Sequence, residues 1–349
     1  MSESPLRPGG SRYLQMELRT SPHLARGVSV PVIMRNVLYA LAPVAVMAVY
    51  LFGIGAAFLI AVTTAAALLT EYAAGRVTGR GGTLGDYSAA ITGLLLGLTL
   101  PPAFPLWMGA LGGVVAIVLG KTLFGGLGFN LFNPALVGRA FLQAAFPVAI
   151  TTWSEPFRSG RFAQFHASTL ALPFMKSAAD AATDAATGAT PLAAFKFEHR
   201  LADGMDLFLG AVSGSAGETS ALIILLGGAY LAARKMLDWR IPVGVLVTVA
   251  LFAALLHWLD PAYPPPLFML LSGGLMLGAV YMATDMVTSP VTPLGIWLFA
   301  VFIGAVTVVI RVWGGLPEGV MYAILLGNAI SPLLNLVTQP RIYGARRRS

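Results

Sequence analysis

Apolar runs, separated by short polar or Gly/Pro-rich stretches, occupy most of the chain. Read as helices, they predict about ten membrane spans. The first five lie near 37–53, 55–73, 87–101, 105–121 and 134–149. The other five lie near 216–233, 241–258, 267–283, 294–311 and 317–337. Such runs suit helices that cross a hydrocarbon core of ~30 Å. Segments 73–86 and 204–218 have room for re-entrant pieces. The predicted organisation is an N-terminal segment (1–36), a first group of five helices (37–149), a long loop (150–204), a second group of five (205–338) and a basic tail (339–349).

The distribution of Lys and Arg orients these spans. With the N-terminus in the cytoplasm, fifteen of the 22 basic residues fall in inside segments. Five more (Arg158, Arg161, Lys176, Lys196 and Arg200) lie in loop 150–204, where the charge rule has less force. Arg139 and Arg311 fall in or at the ends of spans. Both termini are therefore predicted to be cytoplasmic, and the long loop to face the periplasm of a bacterial inner membrane.

Five spans per half turn the second half over relative to the first. The stretch 101–130 parallels 289–319: a Pro-rich start, a Trp, an apolar helix, then Gly-Gly-Leu. Similar sequence in opposite topology predicts two inverted five-helix repeats with broken helices, in an all-α integral membrane protein. Such folds place sites near the midplane, where backbone groups are freed. The alternative is that Gly/Pro-rich membrane helices resemble one another by composition.

Composition agrees with the membrane class. The 349 residues are 57% hydrophobic and 11% charged, with mean hydropathy +0.78, whereas soluble domains are about a quarter charged. Residues 1–36 are polar and basic, without the apolar core of a cleaved signal peptide. The absence of cysteine excludes disulfides and cysteine-ligated iron–sulfur clusters from this chain. His23, His166, His199 and His257 fit no metal-ligand spacing, so no metal site is expected, although bis-His haem ligation stays formally open. An organic cofactor is the better redox candidate. The net charge of +7 follows from topology and does not require nucleic acid.

Ionisable groups inside spans are functional candidates by default. Here they are Glu71, Asp86, Arg139, Glu218 and Asp285. Glu71 sits near a cytoplasmic helix end, where snorkelling or a structural role competes with function. In "FNLFNPALVGRAFL" (129–142), Pro134 suits the first helical position and Asn133 the N-cap. The free N–H groups there can bind an anion. Arg139, one to two turns deeper, needs a carboxylate from another helix, a bound phosphate or a flavin ring. In "SGSAGETSAL" (213–222), Gly214 and Gly217 permit close backbone approach, and Glu218 suits a helix start or pairing with Arg139. In "MATDMVTSPVTP" (282–293), Asp285, Thr288 and Ser289 stand beside Pro290 and Pro293. This is either a capped turn or a helix break serving a cation or cofactor.

Loop 150–204 is rich in Ala, Thr and Ser around 177–191, as a flexible linker would be. Within it runs Asp184-Ala-Ala-Thr187-Gly188-Ala189-Thr190. This resembles the D-x-x-[ST]-G-A-[ST] site of the transferase that attaches FMN through a phosphoester, with the last Thr as acceptor. An isolated Thr hydroxyl is a poor nucleophile, so such an enzyme must bind and activate an exposed segment.

With "GDYSAAITGLLLGLTLPP" (85–102), "NPALVGRAFL" (133–142), "TGATPL" (187–192), "GSAGETSAL" (214–222) and "MATDMVTSP" (282–290), the chain resembles the D subunit of the Rnf electron-transport complex. That family is similar to the B subunit of the sodium-pumping NADH:quinone reductase. The likeness runs from about residue 30 to 340. The resemblance implies a covalent FMN on Thr190, with Asp184, Thr187, Gly188 and Ala189 as the attachment motif. It implies a flavin pocket lined by Asn133, Pro134, Arg139, Ser215 and Glu218. It also implies a noncovalent riboflavin, to which no residue is assigned. Implied partners are the other Rnf subunits (A, B, C, E and G), which carry the iron–sulfur clusters and NADH sites, together with the flavin transferase and membrane lipid. The implied activity is electron transfer between NADH and ferredoxin or flavodoxin coupled to Na⁺ or H⁺ movement, with no catalytic residue in this chain alone. Asp285 and Thr288 are the candidates for ion coupling. A solute transporter or channel, or a scaffold without cofactor, are the competing readings. Neither has a reason to keep the acceptor motif.

Overall fold

The computed structural model describes residues 29–79, 83–165, 168–173, 189–218 and 220–340. Its regular elements are helices, with no β-strand among the described residues. The first group comprises α1 (Val30–Phe52), α2 (Ile54–Val77), α3 (Ser88–Thr99), α4 (Leu106–Ile117), α5 (Pro134–Ala145) and α6 (Pro147–Ile150). Two short helices follow, α7 (Pro191–Glu198) and α8 (Gly204–Leu209). The second group comprises α9 (Ala221–Ala233), α10 (Arg240–Leu259), α11 (Pro266–Leu271), α12 (Leu275–Leu277), α13 (Pro293–Trp313) and α14 (Val320–Thr338).

Five helices, α1, α2, α10, α13 and α14, are long and apolar enough to cross a membrane. The segments Ser88–Thr99, Leu106–Thr122 and Ala221–Ala233 are shorter apolar helices. Every predicted span falls on a described helix, but two are not continuous. The run 134–149 is α5 and α6, interrupted at Phe146. The run 267–283 is α11, a break at Ser272–Gly274, then α12 and a π-helical turn over Gly278–Met282. Gly273 adopts φ +68 in that break, a left-handed conformation that glycine adopts without a Cβ clash. Its missing Cβ also makes room, because one built there would lie within 3.0 Å of the Arg311 guanidinium. A second π-helical turn, Val118–Thr122, extends α4.

Small residues let these helices approach closely, the usual device where no hydrophobic force drives apolar helices together in lipid. A Cβ on Gly93 of α3 would stand 2.5 Å from the Thr64 Cα of α2. One on Gly138 of α5 would stand 2.7 Å from the Gly112 carbonyl oxygen of α4. The strongest neighbour pairs are α2 with α3 and α4, α10 with α13, α13 with α14, and α4 with α5. α1 packs on α9, and α5 on α14, so the two groups interlock.

The connection after α6 is partly tied down. Phe157 N donates to the Leu51 carbonyl at 2.9 Å, and Arg161 Nε donates to the Tyr50 carbonyl at 3.0 Å. Ile54 N donates back to the Arg161 carbonyl. This segment thus rests on the α1–α2 corner.

The α2–α3 seam leaves no space for a side chain at Gly93. Gly93→Leu is expected to destabilise the fold by at least about 1–3 kcal/mol, the usual cost of overpacking. A lowered thermal midpoint of the detergent-solubilised protein would register it.

Candidate functional site

Helices that end inside a membrane protein leave carbonyls without intrahelical partners. Buried cations fill that need here. Arg139 of α5, 7% exposed, donates through Nη1 to the Thr99 carbonyl at the end of α3, at 2.6 Å. Arg311 of α13 donates to the Met269 carbonyl at 2.6 Å and the Ser272 carbonyl at 3.0 Å, at the end of α11. Arg311 Nη2 also pairs with Glu318 at 3.1 Å, and Glu318 accepts from Gly274 N at 2.9 Å. The break between α11 and α12 is thereby closed from both sides.

The same logic docks α7. Lys196 Nζ donates to the carbonyls of Arg311, Gly314 and Leu316 at the C-terminal end of α13. Burial pushes this ammonium below the ordinary lysine value. Leu192 and Phe195 of α7 pack with Leu207 and Phe268. Thr190 is the N-cap of α7: its Oγ1 accepts from Ala193 N at 3.2 Å, and Pro191 holds the first helical position.

Thr190 and Arg139 line one cavity of about 390 Å³, together with Gln143, Trp153, Phe197, Glu318 and Tyr322. This volume is within the range of small-molecule sites. The residues combine a hydroxyl, a guanidinium, a carboxylate and aromatic walls. Arg139 Nε has no hydrogen-bond partner among the described residues. An orphaned guanidinium N–H beside a helix start suits a phosphate. Ala189 lines the cavity too, whereas Asp184, Thr187 and Gly188 lie outside the described residues.

The remaining expected pocket residues are elsewhere. Asn133 caps α5 as expected, accepting from Ala135 N at 3.0 Å, with Pro134 at the first helical position. Its amide also donates to the Met282 carbonyl at 3.2 Å. Asn133 and Pro134 line a second cavity of about 90 Å³, with Ser88, Lys121, Asn130 and Asp285. They do not line the Thr190 cavity, because they stand at the other end of α5. Arg139 forms no ion pair with Glu218 among the described residues, since its close partner is the Thr99 carbonyl. Nor does Glu218 cap the following helix. Ser220 does so, accepting from Ile223 N, and Glu218 instead accepts from Ser215 N at 3.3 Å. Gly214 and Gly217 carry no left-handed φ. Gly217 is needed for close approach: its Cβ would meet Leu98 at 2.8 Å, where Gly217 N donates to the Leu98 carbonyl and Ala216 N to that of Leu100.

Asp285 bonds locally, accepting from Val287 N at 3.2 Å and from Thr288 Oγ1 at 3.4 Å. It is a capped turn that also faces the smaller cavity. Thr288 is buried beside it. Glu71 does not snorkel. It is 5% exposed and pairs with Lys121 Nζ at 2.8 Å. Lys121 also donates to Ser88 Oγ at 2.6 Å and stands 3.9 Å from Asp86. The charge rule places Lys121 in an inside connection, yet the π-helical turn carries it into the interior, 2% exposed. Lys121 and Glu318 are the site residues that sequence reasoning missed. The available signals were a lysine on the last turn of an apolar run and a glutamate seven residues after Arg311.

A family model described as "NQR2, RnfD, RnfE family" matches residues 17–344. The chain belongs to that family. It is 41% identical, over 95% of its length and 96% of the relative, to the D subunit of the proton-translocating ferredoxin:NAD⁺ oxidoreductase complex of Clostridium ljungdahlii. It is 39% identical, over 96% and 97% of the two chains, to the D subunit of the Na⁺-translocating ferredoxin:NAD⁺ oxidoreductase complex of Acetobacterium woodii. Identity is 43%, over 92% and 94%, to the D subunit of the ion-translocating oxidoreductase complex of Stutzerimonas stutzeri. With its apolar helices, this membership makes the chain a multi-pass membrane protein.

The Lys121–Glu71 pair is enclosed on both partners. Lys121→Met alone strands a buried carboxylate and is expected to cost about 3–5 kcal/mol. Adding Glu71→Met should recover most of that loss, as read from the thermal midpoints of the two variants.

Proposed function

We propose that this chain is the D subunit of an Rnf-type complex and carries FMN esterified to Thr190. The flavin would relay electrons within a ferredoxin- or flavodoxin:NADH oxidoreductase that moves Na⁺ or H⁺. One observation carries the cofactor assignment: Thr190, the acceptor residue, and Arg139, whose Nε has no hydrogen-bond partner among the described residues, line the same cavity. A phosphoester on Thr190 would put its anion at the start of α7, where helix N–H groups favour negative charge. Arg139 supplies the counter-charge, and Trp153, Phe197 and Tyr322 supply flat apolar surface. FMN supplies one-electron redox chemistry, which none of this chain's own side chains provides. Lys196 and the buried Leu192 hold α7, which Thr190 caps, against the end of α13 and Phe268.

The topology belongs to the same proposal. Two inverted repeats of five spans, both termini in the cytoplasm and loop 150–204 in the periplasm, are supported by matching neighbours in the two groups. α2 packs on α4 as α10 packs on α13, and α4 on α5 as α13 on α14. Lys121 and Arg311 occupy like positions, each near the end of the helix that follows the Pro-rich start. Other Rnf subunits (A, B, C, E and G) and a flavin transferase are the partners this reading requires.

The chain resolved on a denaturing gel should fluoresce under ultraviolet light, and its intact mass should exceed the polypeptide by one FMN less water. Thr190→Ala should abolish both signals; undiminished fluorescence would overturn the assignment.

Asp285 faces a cavity at a helix break and has no cation partner among the described residues, whereas Glu71 is neutralised by Lys121. At equal assembly and flavin content, Asp285→Asn is expected to pump ions more slowly than the parent. Equal pumping rates in reconstituted vesicles would exclude Asp285 from coupling.

A further inference from the structure

Two carboxylates stand beside Gly274: Glu318, which lines the Thr190 cavity, and Glu218, which does not. Glu318 is neutralised by Arg311 and held by Gly274 N. Glu218 forms no ion pair within 4 Å among the described residues. Its carboxylate accepts from Ser215 N at 3.3 Å. Gly214 and Gly274 press on it: a Cβ at either would stand 2.8 Å and 3.2 Å from its carboxylate oxygens. Ser215 beside it is 1% exposed. Glu218, unlike Glu318, has no close ion pair to break when negative charge arrives nearby.

The charges that reach Glu218 are few. Arg139 on α5 and Glu318 before α14 both act on it, with Arg311 of α13 behind Glu318. The contacts described from the Gly274 break and from Leu98–Leu100 are backbone. Arg139 and Glu318 also line the Thr190 cavity. With all four groups ionised, two guanidiniums balance two carboxylates. Any further negative charge in the cavity draws on Arg139, which Glu218 shares.

We propose that Glu218 takes up one proton when the flavin on Thr190 gains one electron, and releases it when the electron leaves. This rests on the flavin reading above. The electron comes from the ferredoxin-type donor of the complex. The proton comes from water and forms an O–H bond on the Glu218 carboxylate, and that bond breaks on reoxidation. A proton fits better than a metal cation: a bare cation needs a shell of several oxygens, and Glu218 faces an amide N–H and two glycines. Relatives at 41% and 39% identity are named for proton and Na⁺ translocation, so the choice of ion does not follow overall identity. Glu218 is a charge-compensating residue in this scheme and does not touch the flavin.

The test is potentiometric titration of the purified complex over a pH series. The Thr190-linked flavin is isolated as the difference between parent and Thr190→Ala complexes. Its potential should fall as pH rises, by up to about 59 mV for each tenfold change in proton activity. Sodium concentration at fixed pH should not move it. Glu218→Gln should flatten the pH slope, and Glu218→Asp should restore it. Infrared redox-difference spectra of the parent should show a protonated carboxyl band that E218Q lacks. A parent potential independent of pH, a sodium-dependent one, or an unchanged slope in E218Q would each overturn the proposal. The parent measurements hold even if E218Q fails to assemble. A non-fluorescent chain would sink the flavin reading first, whereas a fluorescent chain with a flat potential would sink only this inference.

Discussion

The architecture depends on satisfying backbone carbonyls that broken helices expose within an apolar interior. In hydrocarbon an unpartnered carbonyl costs several kcal/mol. Three helix ends here are answered by a cation from another element. Arg139 ties α5 to α3, Arg311 ties α13 to α11, and Lys196 ties α7 to α13. These bonds act as caps and as struts at once. Because a cation at a helix C-terminus also suits the helix dipole, burying these charges is consistent with stability.

From that constraint the site follows. Arg139 must sit beside the end of α3, where it also lines the cavity under α7. Arg311 must close the α11–α12 break, which draws Glu318 inward to the same cavity. Lys196 fixes α7 against the end of α13 and so presents Thr190 there. Groups recruited to satisfy backbone thereby supply the charge pattern of the Thr190 cavity. At the other cavity, Lys121 gathers Glu71, Asp86 and Ser88 around a π-helical turn.

Much of this is legible in the sequence, and the failures share a cause. The spans, the Asn133–Pro134 helix start and the exceptional character of Arg139 come from local pattern. Grouping Asn133 with Arg139 in one pocket fails because a helix rises about 1.5 Å per residue. Six residues along α5 are enough to place them in separate cavities. Pairing Arg139 with Glu218 fails because the carbonyl of Thr99, an atom invisible to charge counting, reaches Arg139 first. Lys121 reads as an inside-loop charge because its position along the chain says nothing of which way a π-helical turn points it.

The amino-acid sequence alone determined the membrane class, the apolar runs, the Asn133–Pro134 helix start and the family. These rest on hydropathy, on neighbours within a few residues and on motifs read in order. The tertiary structure decided which carbonyl each cation reaches, which residues share the Thr190 cavity, and which carboxylate is left without a close ion pair. Those outcomes depend on distances between elements far apart in the chain. Arg139 and Thr99, or Lys196 and Gly314, become neighbours only when helices break at particular depths and pack through glycine seams.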